Sequence, residues 1–204
     1  MRDAWRLLIG VLAVVPLCTT AVAQPAESDD YTRYELLAPE TAQFRIVYEV
    51  TATTPGALFY FNPIRKGSEA SDEAVYDRAS GKPLRFEVVD GAAARAAGET
   101  KADLDTRYIK VELPRPVPKG GELRLRIDKT YKDPKSYFSE GERVVFSRSL
   151  GVRRNAVVLP AGYELVACNV PAQVLQEPDG RTKVSFMNPG PDAASVVVKG
   201  RKLP

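Results

Sequence analysis

The sequence predicts an all-β fold, an antiparallel β-sandwich with Ig-like or saddle-like sheets. Three observations predict it. Short runs of alternating apolar and polar residues recur roughly every ten residues, as in sandwich proteins. Gly, Pro, Asn and Asp clusters punctuate them. No stretch sustains a helical repeat over three turns. A closed β-barrel is the alternative, because strand spacing alone does not separate the two.

The chain of 204 residues opens with Arg2 and Arg6, then an apolar run from Leu7 to Leu17 broken only by Gly10 and Pro16. Ala21-Val22-Ala23 supplies the small-x-small pattern of a signal-peptidase site. Residues 1–23 therefore read as a cleavable signal peptide, with cleavage after Ala23, and the product is expected in the periplasm or secreted. The run is shorter than the roughly 20 residues a bilayer span needs. Leu17, next to Cys18, stands where a lipoprotein signal wants a small residue. No later segment is apolar and long enough to span, so no membrane span is expected after cleavage.

Residues 24–42 read as a flexible leader, polar at first, and 43–204 as the sandwich domain. Phe44, Ile46, Tyr48 and Val50 fall on one face of the first strand. Thr53-Thr54-Pro55-Gly56 turns the chain, and the continuous apolar run Leu58 to Phe61 reads as a strand covered on both faces. After the acidic stretch to Asp77, Ser80-Gly81-Lys82-Pro83 is a turn, and Leu84, Phe86 and Val88 alternate. Ala92 to Ala97, bracketed by Gly91 and Gly98, reads as a loop with at most a short helix. Ile109, Val111 and Leu113 share a face. Leu123, Leu125 and Ile127 point inward against Arg124, Arg126 and Asp128. Short strands follow at Val144–Phe146 and Val157–Leu159 and a longer one at Glu164–Val170, and Pro178-Asp179-Gly180 reads as a hairpin turn. The stretch 131–141 reads as polar and strand-poor, a place where the domain could subdivide.

Several chemistries are excluded. The chain has no histidine, which removes Ser–His–Asp and Cys–His mechanisms and His-ligated zinc. Of its two cysteines, Cys18 leaves with the signal and Cys168 stands alone, so no intrachain disulfide forms; its apolar strand context reads as core. A net charge of +3 leaves no footprint for nucleic acid. Glu69, Asp72, Glu73 and Asp77 do not match a calcium-loop spacing. No cofactor, no metal and no enzyme activity are expected.

Two groups remain as candidate binding residues. Tyr131, Tyr137 and Phe138 lie in the polar stretch, where sandwich loops often carry recognition; the opposing reading is that they cover the end of the core. Arg143, Arg148, Arg153 and Arg154, joined at a distance by Lys199, Arg201 and Lys202, could form a basic surface, or merely keep the strands soluble.

A family resemblance rests on three segments: Tyr76-Asp77 with Ser80-Gly81-Lys82-Pro83-Leu84-Arg85-Phe86-Glu87-Val88, Tyr108-Ile109-Lys110-Val111-Glu112-Leu113-Pro114, and Lys119-Gly120-Gly121-Glu122-Leu123-Arg124-Leu125-Arg126-Ile127. Together they resemble the non-catalytic N-terminal β-domain of M1-type aminopeptidases, in which similar hairpins build a saddle of sheets. The resemblance implies a β-scaffold and no peptidase activity, since the catalytic part of that family uses a His-Glu-x-x-His zinc motif. The expected function is a non-catalytic binding or assembly module with a protein partner in the cell envelope. The alternatives are a carboxylate-dependent enzyme acting on a polysaccharide, or a ligand- or calcium-binding module.

Overall fold

A computed structural model describes residues 29–204. Residues 1–28, which include the stretch read as a signal peptide and the start of that read as a leader, lie outside the described residues. The first strand, β1 (Tyr31–Leu36), is followed by β2 (Gln43–Ala52), β3 (Phe59–Pro63), β4 (Glu69–Asp77) and β5 (Phe86–Val89). A short helix, α1 (Gly91–Ala96), leads to β6 (Tyr108–Glu112), β7 (Leu123–Lys132), β8 (Tyr137–Glu140) and β9 (Arg143–Leu150). The chain then runs through β10 (Arg154–Val158), β11 (Tyr163–Cys168), β12 (Gln173–Gln176), β13 (Thr182–Met187) and β14 (Ala194–Lys202).

These strands make a seven-stranded sheet in the order β12-β13-β10-β1-β2-β7-β4, a four-stranded sheet β11-β14-β9-β8, and a three-stranded sheet β3-β6-β5. No sheet closes on itself, so the molecule is a sandwich and not a barrel. Pairing is antiparallel except between β1 and β10, which run parallel. One apolar cluster joins the sheets: Phe44, Ile46, Leu125, Ile127 and Val157 from the large sheet, Phe146, Val196 and Val198 from the second, and Ile109 and Val111 from the third. Phe44 and Phe146 meet edge-to-face across it with ring centroids 5.5 Å apart, a favoured aromatic geometry.

Four expectations change. Residues 31–36, expected within a flexible leader over 24–42, instead form β1 in the middle of the large sheet between β2 and β10. Its Thr32, Tyr34 and Leu36 are buried at alternate positions, a period of two that the polar residues before it obscured. The polar stretch 131–141 is mostly strand: the end of β7, a turn at Asp133–Ser136, and β8. Leu58 is 55% exposed and precedes β3, an edge strand covered on one side only. Cys168 is half-buried, since β11 is also an edge strand and is bulged between Leu165 and Ala167.

The turn readings agree with the structure. Asp90 caps α1, its Oδ1 accepting the Ala93 N–H at 2.8 Å. Gly180 turns the β12–β13 hairpin at φ 82°, a conformation open chiefly to glycine.

Candidate functional site

The inward face of β7 reads Leu123, Leu125, Ile127, Lys129, Tyr131, so strict alternation delivers a lysine into the core. On the opposed sheet, the inward face of β9 reads Val144, Phe146, Arg148, Leu150 and delivers an arginine. Lys129 is 5% exposed and Arg148 8% exposed. They line a common cavity of about 340 Å³ whose other walls include Tyr34 from β1, Tyr48 from β2, and Tyr60 and Asn62 from β3. Arg65 and the segment Ser149–Val152 line it as well. Arg65 Nη1 reaches the Ser149 carbonyl at 3.4 Å, linking the segment after β3 to the end of β9.

The two cations have different partners. Arg148 Nη1 donates to Asp133 Oδ2 at 3.0 Å and to Ser136 Oγ at 3.2 Å, and its guanidinium lies over the rings of Phe44 and Tyr131. Asp133 also accepts the hydroxyls of Ser136 at 2.7 Å and Ser68 at 3.0 Å. Burial pushes the Asp133 carboxyl up, but the donors from Ser136 and Ser68 and the Arg148 charge outweigh it and hold the group below its ordinary value. Lys129 Nζ donates to Asn62 Oδ1 and sits 4.9 Å from the Tyr131 ring centroid. No carboxylate pairs with it among the described residues. Burial, reinforced by the Arg148 charge and opposed only by distant Glu73, brings the Lys129 ammonium down to about 7.

The polar groups around the cation are largely protonated phenols. Burial raises Tyr34, Tyr48, Tyr60 and Tyr131 above the ordinary tyrosine value. Thr32 Oγ1, also on the cavity wall, is buried without a hydrogen-bond partner among the described residues. Its hydroxyl lies near the Tyr34 phenol, on which it acts to lower the phenol's pKa against the larger effect of burial. The arrangement is an aromatic-walled cavity, open at a rim that includes Arg65 and Ser149, with one ammonium that no carboxylate of the described residues pairs with.

The candidate residues read from the sequence are dispersed. Tyr131 and Tyr137 are fully buried and cover the core, the opposing reading of the two. Tyr131 Oη accepts the Arg65 N–H at 3.2 Å and Tyr137 Oη donates to the Leu37 carbonyl at 2.9 Å. Phe138 is half-buried on β8. The basic surface does not assemble: Arg148 points inward, whereas Arg154 pairs with Asp29 at 2.8 Å and lies over the Tyr31 ring. The Arg154 contact is an ion pair without hydrogen-bond alignment at Nε. Arg153 is exposed just before β10, and its carbonyl accepts the Asn188 N–H at 2.7 Å. Lys199 pairs with Glu140, and Arg201 with Glu164. Only Tyr131 and Arg148 come together, at the cavity. Lys129, Tyr34 and Thr32 escaped the sequence reading, although carrying the Leu123–Ile127 alternation two residues further places Lys129 inside.

Among the described residues no group of three or more Cys, Asp or Glu side chains lies together as metal ligands would. Asp77, from the acidic stretch, instead accepts the backbone N–H groups of Ala79 and Ser80 and the Ser80 hydroxyl. No helix among the described residues is long and apolar enough to cross a membrane.

No family model matches the sequence, and no curated protein is significantly similar to it. Solved structures do match. An M1 zinc metallopeptidase from Deinococcus radiodurans superposes with a TM-score of 0.53 at 12% identity, covering 85% of this chain and 42% of that one. A two-domain M1 zinc metallopeptidase variant bound to L-arginine gives 0.52 at 14% identity, with 85% and 42% covered. The chain thus spans less than half the length of the enzymes it matches, and at this identity the likeness concerns fold. The molecule is an all-β sandwich that resembles the non-catalytic N-terminal β-domain of M1-type aminopeptidases.

Proposed function

We propose that this chain is an exported, non-catalytic binding module of the cell envelope, with recognition centred on the cavity between β7 and β9. The observation that carries the reading is Lys129. A lysine without a carboxylate partner, 5% exposed in an apolar sandwich, destabilises the fold. Such a group is explained by a ligand that meets its charge. Export rests on Arg2, Arg6, the Leu7–Leu17 run and Ala21-Val22-Ala23. The non-catalytic reading rests on the absence of histidine and on the resemblance to a non-catalytic domain.

The test is native mass spectrometry and crosslinking of the protein recovered from envelopes at native expression, with Lys129→Met alongside. The reading expects an adduct on the wild type that K129M lacks. A free monomer in both preparations contradicts it.

A second reading, strand addition by an extended segment of a protein partner, is favoured by β12. This edge strand is exposed along its whole length, with Val174 55% and Leu175 42% exposed. Crosslinks confined to residues 173–176 would support it, and their absence would remove it.

A further inference from the structure

We infer that the cavity between Lys129 and Arg148 is a binding site for a small organic carboxylate, a monoanion with a compact apolar body. The inference rests on the reading above, that this cavity is where the module recognises its ligand, and it adds the chemical class.

Charge sets the valence of the guest. Arg148 already has its counter-ion in Asp133, 3.0 Å away. Arg65 is exposed to water at the rim. Lys129 alone is buried without a carboxylate partner among the described residues, so one negative charge completes the site and a second would lie unmatched beside it. A neutral guest would leave the lysine as it is. Shape and lining set the body. About 340 Å³ falls in the range of small-molecule sites, and the Tyr34, Tyr48, Tyr60 and Ile46 side chains offer aromatic and aliphatic walls. Thr32 Oγ1 supplies a second contact. It is a hydroxyl on a residue 3% exposed, on the cavity wall beside the Tyr34 phenol, and is free to turn toward a guest. A carboxylate has two oxygens, one for the ammonium and one for a hydroxyl.

Proton linkage follows from the groups around Lys129. Arg148 faces it from β9, Glu73 acts on it from β4, Asn62 meets it from β3, Arg65 stands at the rim, and Tyr34, Tyr48, Tyr60 and Tyr131 complete the wall. The phenols titrate far above neutrality, so near pH 7 the lysine is the group that changes charge. A carboxylate favours the ammonium. Its binding should therefore take up a proton above about pH 7 and tighten as pH falls through that value.

The experiment is isothermal titration of the mature wild-type chain with hexanoate and benzoate, with hexanamide and inorganic phosphate as controls, at about pH 6 and about pH 8.5. Two buffers of different ionisation enthalpy report proton uptake. Expected are saturable binding of one or both carboxylates, at least about tenfold tighter than the amide or phosphate, and about tenfold weakening at the higher pH. Folded K129M should lose this preference, and Thr32→Val should weaken binding while keeping the pH dependence. No saturable carboxylate binding to folded wild type, equal binding of hexanamide, tighter binding of phosphate, or unchanged binding to folded K129M would each overturn the inference. A Lys129-dependent adduct from native envelopes with no carboxylate binding would overturn this inference and leave the binding-module reading standing. Absence of both would remove the two together.

Discussion

Lys129 and Asp133 lie on either side of one balance, and their substitutions should have opposite effects. Asp133 holds Arg148 through a 3.0 Å ion pair and is held by Ser68 and Ser136. Asp133→Ala leaves a buried guanidinium without its counter-ion and should cost about 3–5 kcal/mol in urea unfolding. Because its folded carboxyl lies below the ordinary 3.8, its stabilisation is present above that pH and is lost as pH falls through the folded value. Lys129→Met removes an unmatched charge instead. Below about pH 7 the variant should be more stable than wild type by about 1–4 kcal/mol, less whatever Asn62 forfeits. The sign reverses the aspartate case. The folded lysine titrates near 7 against an ordinary 10.5, so wild type recovers stability as pH rises between these values and the gap closes. Unfolding midpoints across that range check it, and a gap independent of pH contradicts the placement of Lys129.

Elements show which parts of this protein were legible before the structure. Turns were, because Pro178-Asp179-Gly180 and Asp90-Gly91 admit few backbone conformations. Strands with clean alternation were also legible, as at Leu123–Ile127. Mixed strands were not: β1 turns Thr32, Tyr34 and Leu36 inward and Arg33 and Glu35 outward, so its inward face carries one aliphatic residue and the strand reads as leader. The same cause hid the site. An inward Lys129 breaks the apolar pattern where β7 enters the cavity, so the alternation stops at Ile127 although the strand runs on to Lys132. Local geometry also yields a test at α1. A Cβ at Gly91 would lie 2.1 Å from the Asp103 carbonyl oxygen, a backbone atom with no freedom to withdraw. Gly91→Ala should therefore destabilise by about 2 kcal/mol or more, whereas Asp90→Ala, which removes only the cap, should cost about 1 kcal/mol. Equal small effects at both positions would contradict the packing of α1 against the Asp103 segment.

For the molecule as a whole, the opposed sheets matter most. β1 joins the two halves of the large sheet, parallel to β10 on one side and antiparallel to β2 on the other. Removing residues through Leu36 would expose two strand edges and delete Thr32 and Tyr34 from the cavity. The truncated chain should lose cooperative thermal unfolding, and a sharp transition would show that β1 is dispensable. With β1 in place, β7 and β9 bring like charges face to face across an otherwise apolar interior, and the binding account depends on that juxtaposition. Its most direct test is an NMR titration of the Lys129 side chain in the ligand-free, folded protein, followed by the same titration with saturating benzoate. The account predicts a midpoint near 7 that moves upward when the carboxylate binds. A free-protein midpoint near 10.5 would place the ammonium in water and contradict the buried, unmatched cation on which the account rests.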